Sequence, residues 1–197
     1  MSEWILAAAA AVILIAYGCY RFAFYAPPRK ALPEGAIELP EGAVYEPFRE
    51  KMENWIQDTE KQPEAGGYIV GYQHFGTENI TLEDISQPCE LDKRSRLYFG
   101  MRDSKHQIFL KESIKRKSYY MGVWHTHPQM TPSPSSIDWK DWYDTLEVDR
   151  TGCEYIFFII AGIKEMRVWV GDFESKKIVE IFECPSNNGI YITQREN

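Results

Sequence analysis

The chain has 197 residues, enough for one domain with an appendage and too few for two full domains. Hydrophobic residues make up 44% and charged residues 26%, which excludes a largely disordered chain or a polytopic membrane protein. Lys and Arg total 22 against 29 Asp and Glu, a formal net charge of -7. This acidic balance argues against nucleic-acid binding as the main function.

The first 25 residues predict a membrane anchor. Trp4 to Tyr20 form an uncharged apolar stretch of 17 residues. A helix of that length barely crosses a hydrocarbon core of about 30 Å, but the following aromatic residues extend it. We therefore expect residues 1–25 to be a transmembrane helix that contacts the lipid bilayer through residues 4–25. A cleaved signal peptide is the alternative, but no basic region precedes the apolar stretch and no small-x-small cleavage site follows it.

Basic residues flank the predicted anchor on one side. Arg21, Arg29 and Lys30 follow the apolar stretch, whereas only Glu3 and the terminal amine precede it. Because basic flanks stay in the cytoplasm, the rest of the chain is expected there. The four cysteines, at positions 19, 89, 153 and 184, form no C-x-x-C pair and would stay reduced in that compartment.

The remaining chain divides into a linker, one domain and a tail. Residues 26–36 are rich in proline and polar residues and read as a stiff linker. We expect the domain to span 37–185, followed by a peripheral tail at 186–197. A seven-residue duplication that begins at Leu32 and again at Leu39 has too few copies for a repeat architecture.

The hydrophobic pattern of the domain predicts strands and helices in irregular alternation, which is typical of an α/β or α+β fold around one mixed sheet. We predict helices at 47–61, 104–117 and 137–146, with Ile108, Phe109 and Ile114 buried in the second. Strands at 153–161 and 166–171 should be adjacent and strongly buried. The other predicted strands are 36–39, 67–73, 80–85, 96–100, 119–125 and 178–182.

Two of the four histidines stand one residue apart at the end of a predicted strand. Side chains at i and i+2 of a strand point the same way, so His125 and His127 can reach one metal ion. Pro128 ends the strand, and Asp138 in the next helix can supply a third ligand. Two imidazoles, one carboxylate and an open position for water are typical of a catalytic zinc site. Zinc lowers the pKa of such a water toward about 7.

Each of these residues also has a purely structural explanation. Two histidines on a strand can be polar surface, and Ser135 with Asp138 forms a helix-capping pattern. Glu64, after Pro63, can be an ordinary exposed carboxylate. We expect the other two histidines, His74 and His106, to be surface or loop residues, and Cys153 to pack in the core.

Taken together, the residues resemble the JAMM (MPN+) metalloprotease family. Its pattern is a Glu before a Gly-rich strand, then H-x-H-P, six residues and S-x-x-D. Here these are Glu64-Ala-Gly-Gly, His125-Thr-His-Pro128, residues 129–134, and Ser135-Ser-Ile-Asp138. The resemblance covers about Ile37 to Phe182. The sequence around these motifs is most similar to the prokaryotic JAB branch of the family. Some members of that branch act in bacterial ubiquitin-like conjugation systems, including anti-phage ones.

The resemblance implies a fold and a role for each motif residue. The fold would be a single JAB/MPN-like, cytidine-deaminase-like domain, with a mixed central sheet flanked by helices. His125, His127 and Asp138 would bind one zinc ion. Glu64 would be the general base that takes a proton from the attacking water and passes it to the leaving amine. Ser135 would donate a hydrogen bond to the tetrahedral oxyanion.

The implied function is that of a membrane-anchored, zinc-dependent isopeptidase. It would hydrolyse the bond after the C-terminal tail of a ubiquitin-like protein, for deconjugation or precursor processing, in an antiviral defence system. The protein would be a single-pass protein of the bacterial inner membrane with its catalytic domain in the cytoplasm. One alternative is a binding or scaffold module for a ubiquitin-like protein at the membrane. Another is a zinc peptidase with an unrelated small-peptide substrate.

Overall fold

The computed structural model describes residues 37–38, 46–59, 61–73, 80–183 and 190–192. The predicted anchor at 1–25 and the linker at 26–36 lie outside the described residues, so the transmembrane helix stays a prediction. Within the described ranges, no helix has both the length and the apolar character that a bilayer crossing needs. His74 and two of the cysteines, at 19 and 184, also lie outside these ranges.

The described ranges hold an eight-stranded sheet, a separate two-stranded hairpin and three helices. The sheet order is β1-β10-β9-β8-β7-β6-β2-β3, and the hairpin is β4-β5. Among these strands only β6 and β7 pair in parallel, so the predicted mixed sheet is confirmed. In chain order the elements are β1 (Ile37–Glu38), α1 (Glu46–Glu53), β2 (Gly66–Gln73), β3 (Ile80–Ile85), β4 (Lys93–Ser95), β5 (Tyr98–Gly100), α2 (Lys105–Lys115), β6 (Tyr119–Thr126), α3 (Ser136–Val148), β7 (Tyr155–Ala161), β8 (Met166–Asp172), β9 (Ile178–Glu183) and β10 (Ile190–Ile192).

The large sheet is buried on both faces by two apolar clusters. Along β7, Phe157 and Ile159 belong to one cluster, which includes Met52 of α1. The residues between them, such as Phe158, belong to the other cluster, which includes Trp142 of α3. Because successive strand residues point to opposite faces, one face is covered by α1 and the other by α3. We call these the α1 face and the α3 face.

Several predicted elements are confirmed. β3 spans the predicted residues 80–85, and β7 and β8 pair antiparallel from Tyr155 to Asp172. The interior of β7 is fully buried, which explains its unbroken apolar sequence. Cys153 packs against the α1-face cluster, as expected. Residues 186–197, expected to be a peripheral tail, contribute β10, which pairs with β9 and β1 near one edge of the sheet.

Helix α1 is shorter than predicted. It ends at Glu53, whereas the hydrophobic spacing predicted a helix to residue 61. After α1 the chain turns, and the buried Gln57 side chain donates hydrogen bonds to the carbonyls of Gln62 and Arg96. These bonds tie Gln57 to Gln62 and to the β4-β5 hairpin segment, and apolar periodicity alone does not predict them.

The buried face of α2 was predicted wrongly. Ile108 and Ile114 are 55% and 54% exposed, and Phe109 is half-buried. The buried residues of the helix are His106 and Ser113. The helix therefore packs a polar stripe inward and leaves two isoleucines in contact with solvent.

His106 was expected to be a surface or loop residue, but it lies in α2 and is 1% exposed. Its Nδ1 lies 2.8 Å from Ser86 Oγ and its Nε2 lies 2.8 Å from Asp92 Oδ2. A buried imidazole is stable when both ring nitrogens have partners. These partners lie 14 and 20 residues away in the chain, so local sequence gives no sign of them.

The strand predicted at 96–100 is one arm of a hairpin. Lys93–Ser95 and Tyr98–Gly100 pair antiparallel, with Arg96 and Leu97 at the turn. The hairpin lies apart from the large sheet, but its Ser95 carbonyl accepts the backbone N–H of Glu64 at 2.7 Å. It therefore contacts the segment that precedes β2.

Candidate metal centre

The pairing of β2 with β6 places Glu64 next to the two histidines. Gly66 lies opposite His125 in this antiparallel ladder, and Glu64 precedes it by two residues. Glycine is needed here because a Cβ on Gly66 would lie 2.5 Å from the Phe99 ring and 2.6 Å from the Trp124 carbonyl oxygen. The two strands can therefore approach closely at the point where the site is built.

Both histidines point to the α3 face. Along β6, Val123 packs in the α3-face cluster and Trp124 in the α1-face cluster. The alternation continues through His125, which faces α3, and Thr126, which is buried on the α1 face. His127 follows with the same orientation as His125, and its backbone N–H donates to the Ala161 carbonyl at 3.0 Å. The two imidazoles therefore share one face, while their role as metal ligands stays a prediction.

The three predicted ligands converge. Nε2 of His125 and Nε2 of His127 lie 3.1 Å apart. The Asp138 carboxylate places Oδ1 3.2 Å from Nε2 of His125 and Oδ2 3.5 Å from Nε2 of His127. Zinc bonds of about 2.0–2.1 Å in a tetrahedron place neighbouring ligand atoms about 3.3 Å apart. The donor set and its spacing therefore fit one zinc ion.

His127 is oriented by a residue between the two motifs. Its Nδ1 lies 3.2 Å from Gln129 Oε1, an acceptor, so Nδ1 carries the proton and the Nε2 lone pair faces the other ligands. Gln129 Oε1 also accepts the backbone N–H of Ser133 at 3.0 Å. The prediction from sequence missed Gln129, although its position two residues after a ligand histidine was a usable signal.

The helix-capping explanation of Ser135 and Asp138 is correct, and it coexists with the site. Ser135 is the N-cap of α3: its Oγ accepts the backbone N–H of Asp138 at 3.2 Å, and its own N–H donates to Asp138 Oδ2 at 2.6 Å. The cap fixes the carboxylate in front of the imidazoles. The Ser135 side chain also hydrogen-bonds to the Asp138 carboxylate, to which only its hydroxyl hydrogen can be donated.

Glu64 is a buried carboxylate beside the imidazoles. It is 7% exposed, and one of its oxygens lies within 4.8 Å of ring nitrogens of both His125 and His127. Burial raises the pKa of Glu64 to about 7; the charge of His125 lowers it and that of Asp138 raises it further. A carboxylate with a pKa near neutrality can both accept and return a proton.

Two of the ligand side chains, those of His127 and Asp138, have shifted pKa values. Burial, together with the nearby His125, lowers the pKa of His127 below its usual value, which favours the neutral, metal-binding form. Burial opposes ionisation of Asp138, but hydrogen bonds from His125 and Ser135 outweigh it and hold the pKa of Asp138 well below its usual range. At neutral pH the site therefore presents neutral imidazole and ionised carboxylate to a cation.

Cys89, Asp92 and His106 also place potential ligand atoms within 4.8 Å of one another. The two Asp92 oxygens already accept hydrogen bonds from His106 and from the backbone N–H groups of Cys89, Arg102 and Asp103. No lone pair of this carboxylate is left for a cation. The cluster is a structural network that joins the loop after β3 to the start of α2.

Comparison with known proteins identifies the family of the chain. The family of prokaryotic homologs of the JAB domain matches residues 55–171. A protein from Vibrio cholerae serotype O1, named CD-NTase/cGAS isopeptidase, is 30% identical over 124 residues, 61% of this chain and 74% of that protein. Proteins of the same name from Escherichia coli (strain TW11681) and Pseudomonas aeruginosa (strain BWHPSA011 / Pa011) are 27% and 30% identical, covering 61% and 57% of this chain and 74% and 72% of theirs. The chain therefore belongs to the prokaryotic JAB family, as its H-x-H-P and S-x-x-D residues indicated.

Proposed function

We propose that the chain is a zinc-dependent isopeptidase. The observation that carries the proposal is the convergence of His125, His127 and Asp138 at tetrahedral spacing, with the buried Glu64 beside them. Membership of the prokaryotic JAB family and relatives named CD-NTase/cGAS isopeptidase support it. The reaction is hydrolysis of the amide bond after the C-terminal tail of a conjugated protein, or removal of a tail from its precursor.

The chain's own residues have separate tasks in this reaction. Zinc bound by the three ligands would polarise the substrate carbonyl and make the attacking water more acidic. Glu64 accepts a proton from the attacking water and returns it to the leaving amine; its burial favours the protonated form that it takes between the two steps. Ser135 turns its hydroxyl hydrogen from the Asp138 carboxylate to the oxyanion that develops on the carbonyl oxygen. The Ser135 cap also keeps Asp138 in place.

The substrate class follows from the family and the relatives. The resemblance to JAMM enzymes implies a ubiquitin-like protein in a bacterial anti-phage conjugation system. The name of the relatives adds a CD-NTase as a protein whose conjugates such an enzyme cleaves. We propose a conjugate joined through the C-terminal tail of one of these two classes of protein.

A membrane location for this activity is a separate proposal. Residues 4–25 would hold the domain at the bacterial inner membrane, where confinement raises the effective concentration of membrane-bound conjugates. Fractionation of cells that express the full chain or residues 26–197 tests it. The full chain should sediment with membranes and the truncated chain should not; equal distribution of both would contradict the anchor.

A substrate trap tests the function. Full-length Glu64→Ala is expressed in the native host and purified, and the captured proteins are identified by mass spectrometry. The matched control is His125→Ala, which removes a metal ligand. A conjugate captured by Glu64→Ala and lost in His125→Ala supports the isopeptidase. The same partners on both variants would contradict it and favour a binding module.

A further inference from the structure

The side chain of Gln57 is the hub of a buried hydrogen-bond network behind the metal centre. Gln57 is 1% exposed. Its Nε2 donates to the Gln62 carbonyl at 3.1 Å and to the Arg96 carbonyl at 2.8 Å. Its Oε1 accepts the hydroxyl of Thr126 at 3.0 Å. Both N–H groups and the carbonyl oxygen of the amide are therefore used.

Thr126 carries this network to the site residues. Its side chain is fully buried on the α1 face, between the two ligand histidines in sequence. Its Oγ1 accepts the backbone N–H of Ala65 at 3.0 Å, and its own backbone N–H donates to the Ala65 carbonyl at 2.9 Å. Ala65 directly follows Glu64. One hydroxyl thus links the segment that holds the general base to the strand that holds the ligands.

The link occurs where the regular sheet ends. The β2–β6 ladder extends to the pair Gly66 and His125. Beyond it, the backbone N–H of Glu64 bonds to Ser95 of the hairpin instead of to β6. The ladder provides no carbonyl for the backbone N–H of Ala65, and Thr126 Oγ1 accepts this N–H instead. Gln57 Oε1 in turn accepts the Thr126 hydroxyl and holds it in place.

We infer that Gln57 is a positioning residue: acting through Thr126, which stands between them in the chain, it sets the orientation of the two ligand histidines and their distance from Glu64. Gln57 lies on the opposite face of the sheet from the imidazoles and touches no reacting atom. The inference rests on the proposed metal site. It states that the metal site needs a side-chain amide outside the family motif, one that donates to two carbonyls and accepts one hydroxyl.

The chain offers closely matched variants to test this role. Gln57→Met keeps the side-chain length and removes all three hydrogen bonds. Thr126→Val keeps the shape and removes the hydroxyl, whereas Thr126→Ser keeps the hydroxyl and serves as the conservative rescue. Ile159→Val, in the same α1-face cluster, is the control for a general loss of core packing.

The readouts are the affinity of the full-length chain for zinc, by competition with a chromophoric chelator, and the visible absorption of the chain loaded with Co²⁺. Tm is measured alongside. Removing a partner that orients ligands typically costs 10–100-fold in metal affinity. We expect such a loss, with a changed Co²⁺ spectrum, for Gln57→Met and Thr126→Val. The affinity of Thr126→Ser should stay within about threefold of wild type, because its hydroxyl keeps the link.

The double variant and the control decide between positioning and general stability. Because both residues act through one network, adding Gln57→Met to Thr126→Val should lower zinc affinity little further. Ile159→Val should lower Tm and leave the Co²⁺ spectrum unchanged. Wild-type affinity and spectrum in Gln57→Met and Thr126→Val would overturn the inference while leaving the metal site. A wild-type chain that binds no zinc would overturn the proposed function and the inference together.

Discussion

Gly66 lies opposite His125 in the β2–β6 ladder, and this one register pair assembles the candidate site from two distant parts of the sequence. It places Glu64 beside the imidazoles on the α3 face, while Ser135 and Asp138 approach from the start of α3. A one-residue slip would turn Glu64 to the other face. The register of β2 against β6 therefore determines whether the proposed site can form.

Glu64→Ala should separate catalysis from metal binding. Cleavage of a conjugate should fall by about 10²–10⁴-fold, the usual contribution of a general base. Zinc affinity should stay near wild type, since Glu64 is not one of the three ligands. The measurements are kcat/KM and zinc content of the purified variant. Loss of zinc from Glu64→Ala would instead make Glu64 a ligand, and surviving cleavage would remove its role as base.

The stability of the metal-free protein should depend on pH through Glu64. Its pKa rises from 4.5 to about 7 on folding, so the folded state binds more protons between these values and stability falls as pH rises. The full effect is at most about 3 kcal/mol. Denaturant unfolding of wild type and Glu64→Gln from pH 4 to 8 measures it. The variant should lack this component of the pH dependence; identical profiles would contradict the assignment.

Asp138→Asn should weaken zinc binding without unfolding α3. The amide oxygen can still accept the Ser135 N–H, so the cap survives, while the charge that attracts the cation is lost. We expect zinc affinity to fall by at least about 10-fold, and the metal-free variant to keep its helix with a modest fall in Tm, because the fold favours the ionised carboxylate. Chelator competition and thermal unfolding test both parts. Unchanged zinc affinity would exclude Asp138 as a ligand.

Ser135→Gly should separate the cap from the oxyanion donor. Glycine at an N-cap costs only a few tenths of a kcal/mol relative to serine, whereas loss of an oxyanion donor lowers kcat about 10²–10³-fold. We therefore expect a large fall in kcat with little change in KM or Tm. Steady-state kinetics and thermal unfolding provide the comparison. A wild-type kcat in this variant would leave Ser135 with the cap alone.

Gly67→Ala should destabilise the fold at the site. A Cβ at this position would lie 2.2 Å from the backbone oxygen of Ser86, which directly follows β3, so the backbone has to move. We expect a loss of about 2 kcal/mol or more in the free energy of unfolding, in the range of strained core substitutions. Denaturant unfolding measures it. A neutral effect would show that β2 and the segment after β3 separate easily.

Local sequence was sufficient for much of the sheet and for the clustering of the candidate ligands. The apolar run of β7 and its pairing with β8 follow from burial on both faces. His125 and His127 share a face because strand residues alternate, and Ser135 with Asp138 shows the capping pattern directly. These features depend on neighbours within a few residues, which is why sequence patterns predict them.

Features that depend on distant partners escaped prediction. His106 and Gln57 are polar residues buried by hydrogen bonds to groups far along the chain. The partners of His106 bury the polar side of α2 in place of the predicted isoleucine side. The partners of Gln57 hold it in the loop after α1, so this helix ends earlier than predicted. The β4-β5 hairpin, of which the sequence predicted only one strand, hydrogen-bonds to Glu64, more than 25 residues away in the chain. Local periodicity contains no information about such contacts.

The most direct test of the central claim is cleavage of the trapped conjugate by the purified chain. The conjugate is incubated with zinc-loaded wild type, with Glu64→Ala and with wild type plus chelator, and the products are analysed by intact-mass spectrometry. The account predicts that zinc-loaded wild type alone releases a protein with a free C-terminal carboxylate and a target with a free amine, differing from the conjugate by one water. A conjugate that persists with zinc-loaded wild type would contradict the account.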